Sequence, residues 1–181
     1  MNTLVMHLGG NVERAHTTAA VAIRFLGASV LVSSELDPRR VFGVLLGAGV
    51  TDWLIAFDFA PWDTVTHFTH GLRDYDVDDI DELHVVTDRF HLRRATWIAR
   101  VVLLGSGVRI VGHAHDDPRY AKTRDPLLRL VRDLLRAAWW RLTGHLIYDR
   151  SIRTARTDAL ARAEAEARDA GLLHADAVEG T

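Results

Sequence analysis

The chain has no cysteine, and that absence removes disulfides, thiolate nucleophiles, cysteine-ligated zinc and iron–sulfur clusters together. Lysine is almost missing too: Lys122 stands alone among arginines, a coding bias from which nothing functional follows. Neither sign of charge prevails, because the formal net charge is −2 with acids and bases interspersed. No global field therefore draws the chain to nucleic acid or to an anionic membrane, and any basic site must be local. Long apolar runs are lacking as well. The opening MNTLVMHLGGNVER has neither the charged start nor the extended apolar stretch of a signal peptide, and its apolar segment is too short to span a bilayer. The expected location is cytoplasmic. No internal repeat is visible, and 181 residues are a usual size for one domain that buries its own core.

What is present is an alternation of two patterns. Thr3 to Leu8, Ser29 to Val32, Trp53 to Phe57, Leu83 to Val86 and Val108 to Val111 are short runs rich in β-branched or large apolar residues. They are apolar enough to be buried on both faces, as inner parallel strands are. Helical spacing runs between them, over Val12 to Leu26, Pro38 to Leu46, Thr64 to Tyr75 and Phe90 to Leu104. Right-handed crossovers turn this order into an α/β fold: a three-layer, Rossmann-like, doubly wound sheet, mainly parallel, of about five strands. Asp37 before Pro38 and Asp63 before Thr64 are helix starts, since an aspartate caps free amides and proline suits a first turn. Gly27, Gly49 and Gly107 fall where helices should stop.

Beyond the fifth strand an irregular stretch, HAHDDPRYAKTRDP, leads to a C-terminal helix from about Pro126 to Leu142, expected to pack on the sheet. Leu128, Val131, Leu135 and Ala138 share one side of it, with Arg129, Arg132, Asp133, Arg136 and Arg141 largely away from that line. The leucine row therefore reads as the buried face and the arginines as solvated charge. With Trp139 and Trp140, the same helix could instead rest on a membrane surface or a partner. The α/β domain is expected over 1–150. The remainder, 151–181, is alanine-rich and charged on most sides, and is expected as a solvated helix or a disordered tail.

Ligands of open parallel sheets bind outside the carboxyl ends of the strands, so each strand-to-helix loop is a candidate site wall. Gly9-Gly10-Asn11 follows the first strand, and two glycines let backbone amides approach an anion at a helix start; the GxGxxG spacing and a Walker lysine are both absent. Ser33-Ser34-Glu35 offers two hydroxyls and a carboxylate after the second strand. After the third, Asp63 or Thr64 caps a helix whose first turn carries His67, and a positive helix end favours neutral imidazole, which suits a base or a hydrogen-bonding group. After the fourth, VVTDRFHLRRA brings Thr87, Asp88, Phe90, His91 and Arg94 together at one turn. His91 and Arg94, three apart on a helix, project from neighbouring positions toward an anionic ligand.

Taken in order and at this spacing, LVMHLGG, LVSSE, WDTVTHFTHGL and VVTDRFHLRRA resemble the YdcF-like family, which includes SanA and ElyC. That pattern has a glycine-rich turn after the first strand, a serine-containing turn after the second, an S-x-D-T-like stretch followed by an asparagine, and then V-T-S/D-x-[YF]-H-x-x-R-A. The last element matches at Thr87, Asp88, Phe90, His91, Arg94 and Ala95. The segment LRLVRDLLRAAWWRLTG is similar to the end of soluble, cyanobacterial-type members, and the resemblance covers about residues 3 to 145. It implies a Rossmann-like fold and two functional associations: S-adenosylmethionine binding in one member, and cell-envelope integrity and lipid-carrier homeostasis in others. His67 stands where the pattern has asparagine, and Ser34 where a glycine is common, so the ligand chosen here can differ.

Two further clusters are weaker. HAHDD holds His113 and His115, which on a strand would project to one face as metal ligands can, but a third ligand is not evident and no metal is expected. The acidic run Asp74 to Glu82 lies between helix and strand, at the opposite edge of the sheet, without the glycine and spacing of an EF-hand loop. Three functions are compatible with these residues. The first is a module binding a small anionic or nucleotide-like ligand, S-adenosylmethionine foremost, at the strand ends. The second is an enzyme acting on a phosphorylated or envelope-derived substrate, with His91 or His67 moving the proton, Asp63 or Asp88 orienting the histidine or assisting as a base, and Arg94 holding the anion. The third is an interaction protein using its basic C-terminal helix on a membrane or a partner, and a homo-oligomer is compatible with all three.

Overall fold

The computed structural model describes residues 2–73, 75–146 and 150–173. Five strands, β1 (Thr3–Leu8), β2 (Ser29–Ser33), β3 (Ile55–Asp58), β4 (Glu82–Asp88) and β5 (Arg109–His115), form one sheet. Their order is β3-β2-β1-β4-β5 and every pairing is parallel. β1 and β4 are buried along their whole length, which is why their sequences run apolar without alternating.

The pleat sends alternate residues to opposite faces. On one face Val5, Val30, Val32 and Val86 meet Ala15, Ala19, Val41 and Leu45 of α1 (Arg14–Ala22) and α2 (Pro38–Gly47). On the other, Leu4, Met6, Leu83 and Val85 meet Val65, Phe68, Ala95 and Ile98 of α3 (Thr64–Gly71) and α4 (Arg89–Val102). Burying each such leucine, isoleucine or phenylalanine contributes about 1.5–3 kcal/mol. Because the chain crosses from β3 over to β4, winding reverses between β1 and β4, and the crevice above their carboxyl ends is the topological switch point. The helix signals act as read: Asp37 accepts from the Arg40 amide, Asp63 and Thr66 form a reciprocal capping box, and Gly27 and Gly49 take left-handed φ of 77° and 93°.

Three expectations change. β5 runs on through His113 and His115, so the irregular stretch begins only after them. The ladder reaches Asp88↔His115, and both histidines are engaged, His113 by His84 at 2.8 Å and His115 by Thr17 at 3.0 Å. The long helix α5 (Leu127–Thr143) packs against α3 and α4, but with its faces inverted. Leu128, Val131 and Leu135 are exposed, whereas Asp133 and Arg136 are buried beside Leu130 and Ala137. The inversion is possible because the buried charges find partners: Asp133 lies 2.8 Å from Arg94 and 2.9 Å from Arg132, and Arg136 lies 2.7 Å from Asp63.

The third change concerns the tail. α6 (Arg150–Asp169) is not merely solvated: Leu160, Ala163 and Ala167, with Leu172, are buried against Phe59, with Phe42 and Phe57 alongside. Apolar residues at i, i+3 and i+7, two of them alanines, let a charged helix lie close on an aromatic patch. The tail end, 174–181, the residues 147–149 beside the expected boundary, and Asp74 at the head of the acidic run lie outside the described residues. Among the described residues no helix is long and apolar enough to cross a membrane.

Candidate functional site

A cavity of about 730 Å³ opens above the switch point. Its walls include Gly9 and Gly10 after β1, Asp63, Thr64 and His67 at the start of α3, and Thr87, Asp88, Phe90, His91 and Arg94 at the end of β4 and the start of α4. A second cavity of about 350 Å³ adjoins it, sharing Asp88, Phe90 and Tyr120. Asn11, Ser33, Ser34 and Glu35 are not in the wall, and their hydrogen bonds explain why.

The turn after β2 closes on itself. Ser33 Oγ lies 2.7 Å from His67 Nδ1, both side chains buried. Ser34 takes φ of 59°, and its hydroxyl donates to the Pro61 carbonyl. A left-handed backbone is where glycine is at ease, so a serine here holds a conformation that its Cβ disfavours. Glu35 accepts four donors: the Leu36 and Asp37 amides at 2.8 and 3.2 Å on Oε1, and the Gly10 amide and His7 Nε2, both at 3.3 Å, on Oε2. Burial pushes its pKa up, but the His7 bond and the amides overrule burial and hold it at about 2. Burial lowers the pKa of His7. A neutral ring that donates Nε2–H to Glu35 accepts at Nδ1 from the Thr18 hydroxyl, 2.8 Å away.

Gly9 belongs to the same closure. Its amide donates to Ser33 O at 2.7 Å, and a Cβ there would run into the Ser34 carbonyl and lie 2.6 Å from Ser33 O. The amides of Gly9 and Gly10, expected to face an anion, are thus turned to Ser33 and Glu35. Asn11 ties two loops together, donating to Asp117 Oδ2 at 2.9 Å and accepting from the Glu13 amide at 3.2 Å.

The turn after β4 is built differently. Asp88 stands at the N-cap of α4 but makes no capping bond. Its Oδ2 is drawn to Arg14 at 2.7 Å, and Arg14 also donates to Gly9 O at 3.2 Å. Asp88 Oδ1 and Arg14 Nε are buried without a hydrogen-bond partner among the described residues. Arg94 does not face the cavity as a free cation: its Nε donates to Asp125 at 2.6 Å, one terminal nitrogen to Asp133 at 2.8 Å and the other to His91 Nδ1 at 2.9 Å. Asp125 Oδ2 also approaches His91 Nδ1, at 3.4 Å, but the Arg94 contact is the shorter and a guanidinium only donates, so Nδ1 is assigned as the acceptor and the neutral ring carries its proton on Nε2. Burial lowers the pKa of His91, helped by the Arg94 charge and opposed by Asp125, so the ring is neutral at pH 7 and presents an N–H donor. Asp63 has taken a partner as well. Burial works against its carboxylate, but the Thr66 amide and Arg136 outweigh burial and lower its pKa.

Several wall residues lie outside the sequence expectations: Arg14, Trp62, Tyr120, Arg129, Arg132 and Asp133. Arg14, the first residue of the helix that follows Gly9-Gly10, had a readable signal. Tyr120 and the α5 residues reach the cavity only through tertiary packing. Ala159 places α6 on the wall too. No family model, no curated protein and no solved structure matches the chain.

Proposed function

We propose that the chain is a binding module for a small anionic or nucleotide-like ligand, held across the strand ends at the switch point, with S-adenosylmethionine the first candidate. The observation that carries this reading is the cavity of about 730 Å³, a volume typical of small-molecule sites and in the crevice where open parallel sheets bind ligands. Ligand acceptors are met by His91 Nε2–H, by the start of α4 that Asp88 leaves uncapped, and by the exposed Arg129 and Arg132 in the wall. Asp88 Oδ1, buried without a partner, suits a ligand hydroxyl or amine. A His91 that donates rather than accepts, together with the pairing of Asp63 to Arg136 and Asp88 to Arg14, favours binding over turnover of a phosphorylated or envelope-derived substrate.

The test is thermal-shift screening followed by calorimetry on the full chain, with S-adenosylmethionine, S-adenosylhomocysteine, nucleotides, sugar phosphates and inorganic phosphate. The expected result is a raised Tm with one of these classes and an affinity about tenfold weaker in His91→Ala, the loss of one hydrogen bond to a charged group. An equal shift in wild type and variant would remove the ligand from this cavity, and no shift with any compound overturns the reading.

A further inference from the structure

The leucine row of α5 is left without a partner by the inversion of that helix. Leu128, Leu135 and Leu142 are 85 %, 67 % and 84 % exposed, and Val131 and Trp139 between them are half-exposed. At 3.6 residues per turn the five positions fall in a strip about 80° wide, opposite the buried Leu130, Asp133 and Ala137. We propose that this face docks on the surface of an anionic lipid bilayer, lying in the interface rather than crossing it.

Charge selects that occupant. α4 and α5 together carry one carboxylate, Asp133, and it is buried against Arg94, Arg132 and Arg136. The charged side chains these helices expose are all arginines, among them Arg93, Arg100, Arg132 and Arg141. Trp97 and Trp139 are 46 % and 49 % exposed on the same two helices, and amphipathic rings favour the headgroup level. An apolar strip with arginine flanks and no exposed acid is the pattern of an interfacial helix. Two copies of α5 laid against each other would instead set arginine flank against arginine flank, a like-charge contact with nothing to neutralise it. Arg129 and Arg132 of α5 line the ligand cavity but Leu128 and Leu135 do not, so the two leucines test this surface apart from the ligand reading.

The full chain is co-sedimented with vesicles of phosphatidylcholine alone and of phosphatidylcholine with phosphatidylglycerol. The wild type is expected to pellet only with the anionic vesicles and to be released by salt. The double variant Leu128→Glu/Leu135→Glu, with unchanged circular dichroism and melting because both sites are exposed, should partition about a hundredfold more weakly. A wild type that stays in the supernatant with anionic vesicles overturns the proposal, as does pelleting that the double variant leaves unchanged. A wild-type dimer in light scattering that the variant converts to monomer, without vesicle binding, assigns the face to a second copy and overturns it equally.

Discussion

The turns after β2 and β4 stand on the same sheet edge and carry similar residues, serine and glutamate in one, threonine, aspartate and histidine in the other. In the first, every group is turned inward: Glu35 gathers four donors, Ser33 meets His67, and Ser34 reaches Pro61. In the second, Asp88 leaves one oxygen bare and its helix uncapped, and His91 holds out a ring N–H. The difference teaches that a polar strand end is not by itself a site. What matters is whether the fold has already satisfied the group, because a satisfied buried carboxylate is architecture and an unsatisfied one is available to a ligand.

Substitutions can break this contrast. Gly9→Ala should have the largest effect, because the added carbon meets backbone carbonyls that cannot rotate away; a loss of roughly 3 kcal/mol or more is expected in urea unfolding, and a near-native stability would remove the close approach from the argument. Glu35→Gln should cost about 2–3 kcal/mol, since a charged acceptor of several buried donors is replaced by a neutral one. The same site sets an acid limb. Its folded pKa, about 2, lies below the ordinary 4.5, so its stabilisation is present above the unfolded value and is lost as pH falls from about 5 toward 2. The wild type should lose stability over that window, and Glu35→Gln should show a flatter profile; parallel profiles would place the acid sensitivity elsewhere. Ser34→Gly is expected to move stability least, by under about 1 kcal/mol, because relief of the left-handed backbone offsets loss of the hydroxyl bond to Pro61. A large loss would make that bond, not the backbone angle, the reason for the residue.

The sheet, its helices and their caps were legible because the signals are local: apolar runs of strand length, Asp37 and Asp63 before helices, glycines after them. The faces of α5 were not. A helical pattern shows that two sides differ but not which is inside, and here the inner side carries Asp133 and Arg136, whose partners Arg94 and Asp63 lie far away in sequence. The docking of α6 was hidden for a different reason, as alanines contribute little to an apolar pattern until Phe59 supplies the surface they fit. At the site, the residue types clustered at the β4 turn were visible, and so was the crevice they face. That Arg94 orients His91 instead of standing free, and that Glu35 is consumed by backbone amides, depends on distances no spacing encodes.

The strand order also dictates when the cavity comes into being. β1, β2 and β3 are joined by single crossovers, so the N-terminal half can pair as it emerges. β4 reaches β1 only across about eighty residues of chain, Val5 aligning with His84, and closing so long a loop is slow. Before that event Arg14 lacks Asp88, whereas Gly9 already has its Ser33 partner across β1 and β2. A ligand seated between β1 and β4 therefore clamps the strand pair with the longest span of chain between its partners, and is expected to slow unfolding.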